Sequence, residues 1–117
     1  MNTTTEIVVL SVGGMLFHTS RSTLESAEGF LRVLVQPHLI SQPIFIDRDG
    51  THFRYVLNRI RGSNVLPTKY TDLQELQVEA DFYNLTSMVD DIRLRLEHTA
   101  KPLEETIEQL RRDIRRT

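Results

Sequence analysis

Phe45 to Gly62 reads "FIDRDGTHFRYVLNRIRG", and the order of residue types within it decides how the chain is organised. A short apolar run, "PIFI" at 43–46, passes at once into Asp47, Arg48, Asp49 and Gly50. Phe53, Val56, Leu57 and Ile60 then recur at i, i+3, i+4 and i+7, the apolar stripe of a helix, and Gly62 stands where such a helix stops. Arg54, Asn58 and Arg61 fall off the stripe and give it a basic, polar second face. The stretch is strand, charged corner, helix. Its three charges admit a catalytic pair of carboxylates, a metal loop, or a structural and assembly corner.

The catalytic option needs carboxylates in distinct environments around a cleft, with further convergent groups. Asp47 and Asp49 would share one face of a strand with Arg48 between them, and His52 is the only histidine near in sequence. A calcium loop needs further oxygen ligands and a distal glutamate, which D-R-D-G lacks. The structural option is complete with the residues present: Asp49 caps the next helix, Gly50 turns the chain, and Asp47 and Arg48 pair with polar partners. The expectation is a chain that is not an enzyme and carries no cofactor or metal. His18, His38, His52 and His98 form no H-E-x-x-H or i, i+4 ligand pair. His18 reads as a surface residue, and Asp90-Asp91 as a solvated pair.

Working outward, "EIVVLSVGGMLFHT" reads as two strands joined by Gly13-Gly14, since glycines accept the positive φ of a two-residue hairpin. No phosphate-loop spacing follows them. Ser22-x-x-Glu25 predicts a capping box opening a short helix that stops near Gly29. "FLRVLVQP" is expected to be helical up to Pro37, "PHLISQ" a loop and "PIFID" a third strand. Thr71-x-x-Gln74 predicts a second capping box, for a helix with Leu73, Leu76 and Ala80 on one side and Asn84 ending it left-handed. Leu85, Met88, Val89, Ile92 and Leu96 keep helical spacing after it. The order β-β-α-α-β-α-α-α predicts an α+β domain, a small three-stranded sheet covered by a helical cluster.

The expected organisation is a flexible tail over 1–5, one domain over 6–97 and an amphipathic helical extension over 98–117, with Pro102 as a boundary. Leu103, Ile107, Leu110 and Ile114 repeat at spacings of 4, 3 and 4, a coiled-coil seam. Glu104, Glu105 and Glu108 precede Arg111, Arg112, Arg115 and Arg116, as the helix dipole favours. The tail is expected to self-associate, to dock on a partner, or to pack on its own domain.

At 117 residues the chain suits one domain. A net charge of -2 speaks against a nucleic-acid partner bound through bulk charge. With no cysteine, disulfides and thiolate zinc sites are excluded. No apolar run approaches the roughly 18 residues of a membrane span, so no membrane contact by this chain is expected. The expected location is cytoplasmic.

"VVLSVGGMLFHTSRSTL" (8–24), "IFIDRDGTHFRYVLNRIRGSNVLP" (44–67) and "LQVEADFYNLTSMVDDI" (76–92) occur in an order that resembles the BTB/POZ domain of the potassium-channel tetramerisation class, nearer its KCTD type. The resemblance covers about Ile7 to Leu96. It implies the BTB/POZ fold and homo-oligomerisation into a closed ring, fourfold in channels and often fivefold in KCTD proteins. It also implies an adaptor role that includes recruitment of a cullin ubiquitin ligase; the alternative is the cytoplasmic assembly domain of a voltage-gated potassium channel. By motif position it places Thr19, Asp47, Arg48, Asp49, Phe53, Arg54 and Tyr55 at the contact between neighbouring subunits. A ring joins two different faces of each subunit, and complementary charges there set register. Two departures stand out. Ser11 replaces the family's usual Asn before Val-Gly-Gly, and the loop from Pro37 to Pro43 lacks the usual acidic or glycine-rich turn, which bears on cullin binding. The cysteine and histidine set that binds interfacial zinc in some channel assembly domains is absent.

Overall fold

The computed structural model describes residues 6–35 and 41–116 of the chain. The expected behaviour of residues 1–5, the stop at Pro37 and most of the loop after it lie outside the described residues. Strands β1 (Ile7–Val12) and β2 (Met15–Ser20) pair antiparallel from Ile7↔Ser20 to Val12↔Met15. Gly13 and Gly14 make the connection with φ of +59° and +94°, the two positive values that a tight hairpin of matching twist requires. Short helices α1 (Arg21–Glu25) and α2 (Phe30–Val33) follow, and then β3 (Ile44–Ile46), which adds parallel to β1. The sheet order is β2-β1-β3. Helices α3 (Phe53–Ile60), α4 (Tyr70–Phe82) and α5 (Thr86–Arg116) complete the chain in the expected α+β order.

Alternation in the strands divides the sheet into two faces. Val8, Leu10 and Val12 of β1 and Ile46 of β3 are buried under the helices. Phe53, Val56 and Leu57 of α3, Leu73, Leu76 and Ala80 of α4, and Met88 and Ile92 of α5 close the same core. An aromatic group ties its middle together: Phe53 lies 4.9 Å from Phe17 and 5.4 Å from Tyr83, edge to face, and Tyr83 lies 5.0 Å from Phe82.

Helix ends follow local chemistry, not always at the expected residues. Gly62 and Ser63 close α3 by donating to the carbonyls of Arg59 and Asn58, and Asn84 at φ +57° ends α4 in the same way, with Leu85 N–H reaching Ala80 O at 3.0 Å. The N-cap of α1 is Ser20, not Ser22: its hydroxyl accepts from Thr23 N–H at 3.1 Å. Helix α4 begins at Tyr70 with no side-chain cap, so the Thr71-x-x-Gln74 box does not form; Asp72 in the first turn complements the dipole instead. Helix α5 runs unbroken through position 102, so no break in the helix accompanies the boundary expected at Pro102.

Candidate functional site

The corner after β3 is built around two glycines from two motifs. Gly13 donates its N–H to Ile46 O at 2.9 Å, and a Cβ at Gly13 would stand 2.4 Å from Arg48 O. A Cβ at Gly50 would stand 2.6 Å from Val12 O. The Val-Gly-Gly turn and the Asp-Arg-Asp-Gly corner therefore interlock backbone to backbone, and each needs the other's missing side chain. This contact joins positions far apart in sequence and explains why both motifs occur together.

Asp49 does not cap α3; the cap position is His52, which makes no side-chain cap bond. Asp49 Oδ1 instead accepts from Thr51 N–H at 2.9 Å and from Thr51 Oγ1 at 2.6 Å, an Asx turn that tightens the corner. Those two bonds hold the Asp49 carboxyl below the usual carboxylate range. Asp47 is exposed. Arg48 turns inward along its own chain: Nε and Nη2 donate to Glu79 of α4 at 3.1 and 2.8 Å, and the guanidinium lies 4.1 Å over the Phe82 ring. Its pKa is raised, chiefly by the hydrogen bonds to Glu79. The fork is thus a staple between the β3–α3 corner and α4.

The other residues that the resemblance singled out divide by burial. Thr19 and Phe53 are buried in the domain's own core, and Thr19 Oγ1 has no hydrogen-bond partner among the described residues. Arg54 is exposed and covers the half-buried Tyr55, with Nη2 donating to Tyr55 Oη at 3.0 Å and the guanidinium 4.8 Å over the ring. Asp47, Asp49 and Arg54 are therefore the exposed members, while Tyr55 is half-buried against the core.

Beside Asp47 lies the outer face of the sheet, which no motif singles out. Leu16 and Phe45 flank Ser11 directly across the three strands, and they are 58% and 64% exposed. Ile7 is also exposed on this face, and Asp47 continues it two residues beyond Phe45. Strand alternation could have found it: "IFID" places Phe45 and Asp47 opposite the buried Ile46.

The structure also assembles side chains that spacing in the sequence does not. His52 Nε2 lies 2.7 Å from Glu75 Oε1 and 3.9 Å from Asp72 Oδ1, and these three groups could together offer ligand atoms to a cation. Only the i, i+3 spacing of Asp72 and Glu75 hinted at it. A shallow depression lined by Asp49, His52, Glu75, Val78 and Glu79 runs past them, and its lining has no serine, threonine, cysteine or lysine to act as a nucleophile. Asp90 and Asp91 are exposed as expected and each also accepts from an arginine: Arg93 donates to Asp90 at 2.8 Å and Arg59 donates to Asp91. His18 is exposed as expected. Among the described residues no helix is long and apolar enough to cross a membrane.

Comparison with known proteins supplies the family. A model of the BTB/POZ domain (BTB_2) matches residues 8–92. The potassium channel regulatory protein of Bos taurus is 38% identical over 104 residues, covering 83% of this chain and 38% of that protein. The BTB/POZ domain-containing protein KCTD21 of Homo sapiens is 34% identical over 93 residues, 74% of this chain and 36% of that protein. In Arabidopsis thaliana the FH protein interacting protein FIP2 is 36% identical over 95 residues, 74% of this chain and 32% of that protein. The chain spans about a third of the length of these relatives. With three motif segments, sheet, interlocked glycines and helical cluster all in place, the chain belongs to the BTB/POZ family, in its potassium-channel tetramerisation (KCTD-like) class.

Proposed function

We propose that this chain is a non-enzymatic assembly module whose copies join into a closed ring of four or five through the outer sheet face and the charged corner. The observation that carries this reading is the exposed row of Leu16 and Phe45 beside Asp47. An apolar patch rimmed by charge is what a protein–protein contact requires. Asp47 supplies charge at its edge, Asp49, Arg54 and Tyr55 would add polar contacts from the corner and α3, and Arg48, Thr19 and Phe53 shape the contact from within. Light scattering on the whole chain is expected to give four or five times the 13.6 kDa chain mass, or a multiple of that where further contacts join rings. Phe45→Glu is expected to abolish the four- or five-fold assembly with the fold intact, and Asp47→Asn to weaken it. A wild-type monomer at tens of micromolar would sink the proposal.

As an adaptor, such a ring would present several copies of whatever the remaining two-thirds of a full-length relative carries, and would act in the cytoplasm. Cullin recruitment is a separate part of the proposal, tested by pull-down with a cullin N-terminal domain. A second reading, association with a potassium channel, is favoured by the name of the Bos taurus relative. In it the same face would pair with a channel's own assembly domain. Co-purification of this chain with such a domain, lost in Phe45→Glu, distinguishes the two.

A further inference from the structure

Helix α5 is 31 residues long, but its contact with the domain ends early. Met88 and Ile92 are buried and Leu96 half-buried, whereas Leu103, Ile107, Leu110 and Ile114 are 50% to 72% exposed. At 1.5 Å per residue the helix is about 46 Å long, and much of it stands clear of the core. The molecule is accordingly 75 Å along its longest axis and 28 and 17 Å along the others. An apolar seam at 4, 3, 4 spacing on a projecting helix calls for a cover.

We propose that the cover is the same segment of a second copy, running antiparallel. In heptad terms Leu103 and Leu110 take position d, and Ile107 and Ile114 take position a. A two-fold axis midway between Glu108 and Gln109 sets each a layer opposite a d layer: Leu103 meets Ile114 of the second copy, and Ile107 meets Leu110. All four apolar levels are filled without offset.

Charge selects this direction. In an antiparallel pair the e positions of the two helices face each other. Glu104 and Arg111 are those positions, so each Glu104 lies beside Arg111 of the other copy, twice by symmetry. In a parallel pair e faces g, which sets Glu104 by Thr99 and Arg111 by Thr106, with no opposite charges matched. The parallel arrangement also runs Glu104, Glu105 and Glu108 beside their equivalents, and Arg111, Arg112, Arg115 and Arg116 beside theirs. The helix dipoles favour the antiparallel choice as well. Arg111 sits 3.6 Å from Glu108 of its own helix in an exposed pair, a weak contact that it can exchange for Glu104 of the second copy.

A seam of about two heptads falls well short of the roughly 1,200 Å² of a stable interface, so one pair of tails holds weakly. Several tails on one ring multiply the effect through effective concentration, and would join two rings face to face. That amplification rests on the ring proposed above; the helix pairing does not.

The chain has no cysteine, so engineered ones report cleanly. Ile107→Cys chains and Leu110→Cys chains of different tag length are mixed and oxidised in air. The expected product is chiefly the mixed disulfide between positions 107 and 110, several-fold above either like-with-like product. Predominance of like-with-like disulfides means parallel tails and overturns the proposal, and absence of cross-linking overturns it too. Light scattering on Ile107→Asp/Leu110→Asp separates this test from the ring. If tails pair, the mass falls to that of the domain's own assembly, a ring if that reading holds and a monomer if it does not. A mass unchanged from wild type overturns the tail pairing and leaves the ring standing.

Discussion

Arg48 is the residue on which two accounts of the corner part company, and a double-mutant cycle with Glu79 decides between them. The pair is forked, and its side chains are 27% and 13% exposed, well below the exposure of an ordinary surface ion pair. Exposed pairs couple by about 0–1 kcal/mol, whereas hydrogen bonds to charged groups in sheltered sites contribute about 1.5–3 kcal/mol. The expected coupling for Arg48→Ala with Glu79→Ala is about 2 kcal/mol at neutral pH, within that range. Arg48→Ala alone also loses the contact with the Phe82 ring, worth about 0.5–1 kcal/mol. It is therefore expected to be the more destabilising single change. Urea unfolding followed by circular dichroism measures the cycle, at one fixed protein concentration because association shifts apparent stability. For a chain of this size each kcal/mol moves Tm by roughly 3–6 °C, so the thermal readout is equally accessible. A coupling below about 0.5 kcal/mol would place the pair with the ineffective surface bridges and refute the staple. So would a different pattern, in which Arg48→Ala dissociates the assembly while Glu79→Ala leaves both mass and stability unchanged. That outcome would mean the guanidinium serves a neighbour.

Other expectations follow from the same geometry. Gly13→Ala and Gly50→Ala each drive a Cβ into a backbone carbonyl, so each is expected to cost about 1–3 kcal/mol, with Gly14→Ala cheaper because only its φ of +94° opposes a side chain; equal costs at Gly13 and Gly14 in urea unfolding would disprove the interlock. Tyr83 is fully buried, its hydroxyl has no partner among the described residues, and burial raises its pKa above the usual 10.0. The folded chain therefore keeps the phenol protonated while the unfolded chain ionises, and stability must fall as pH rises past 10. Tyr83→Phe is expected to abolish that component of the alkaline loss and to be neutral or stabilising at pH 7, as measured by Tm across pH 7 to 11. Asp49 has the opposite sign: its carboxyl is held below 3.8 in the fold, so its contribution is present above that value and fades as pH drops further, and Asp49→Asn should flatten the acid limb of the stability curve.

What could be read from the residues and what could not follows from the range of the interactions involved. The stripe of Phe53, Val56, Leu57 and Ile60, the Gly13-Gly14 hairpin and the left-handed Asn84 are local, and each was visible because backbone preference and burial point the same way. Capping was harder, because Ser20, Ser22 and Thr23 all carry a hydroxyl within one turn and only the chain's entry angle chooses among them. At Pro102 a rule about one residue met a longer context. A proline inside a helix removes a hydrogen bond and costs about 3 kcal/mol, yet leucine-, glutamate- and arginine-rich segments on both sides favour helix strongly enough to carry it through.

The charged corner shows the deeper limit. Arg48 and Glu79 are 31 positions apart, so nothing in the order of residues says whether that arginine meets a carboxylate of its own chain or of another. Motif position alone assigned it to a neighbour, along with Thr19 and Phe53, because a motif records which residues recur together without recording which way they face. Burial supplies the missing direction. Once the inward-facing members are set aside, the exposed Asp47 falls two residues beyond Phe45, which with Leu16 forms an exposed apolar pair that no motif had marked. A mutation series at the corner should therefore divide in two. Changes at Thr19, Arg48 or Phe53 should move unfolding temperature before assembly mass, and changes at Phe45 or Asp47 should move mass at constant unfolding temperature of the dissociated subunit. If both groups move the two quantities together, burial in the single subunit is not what separates them, and the division drawn at this corner is wrong.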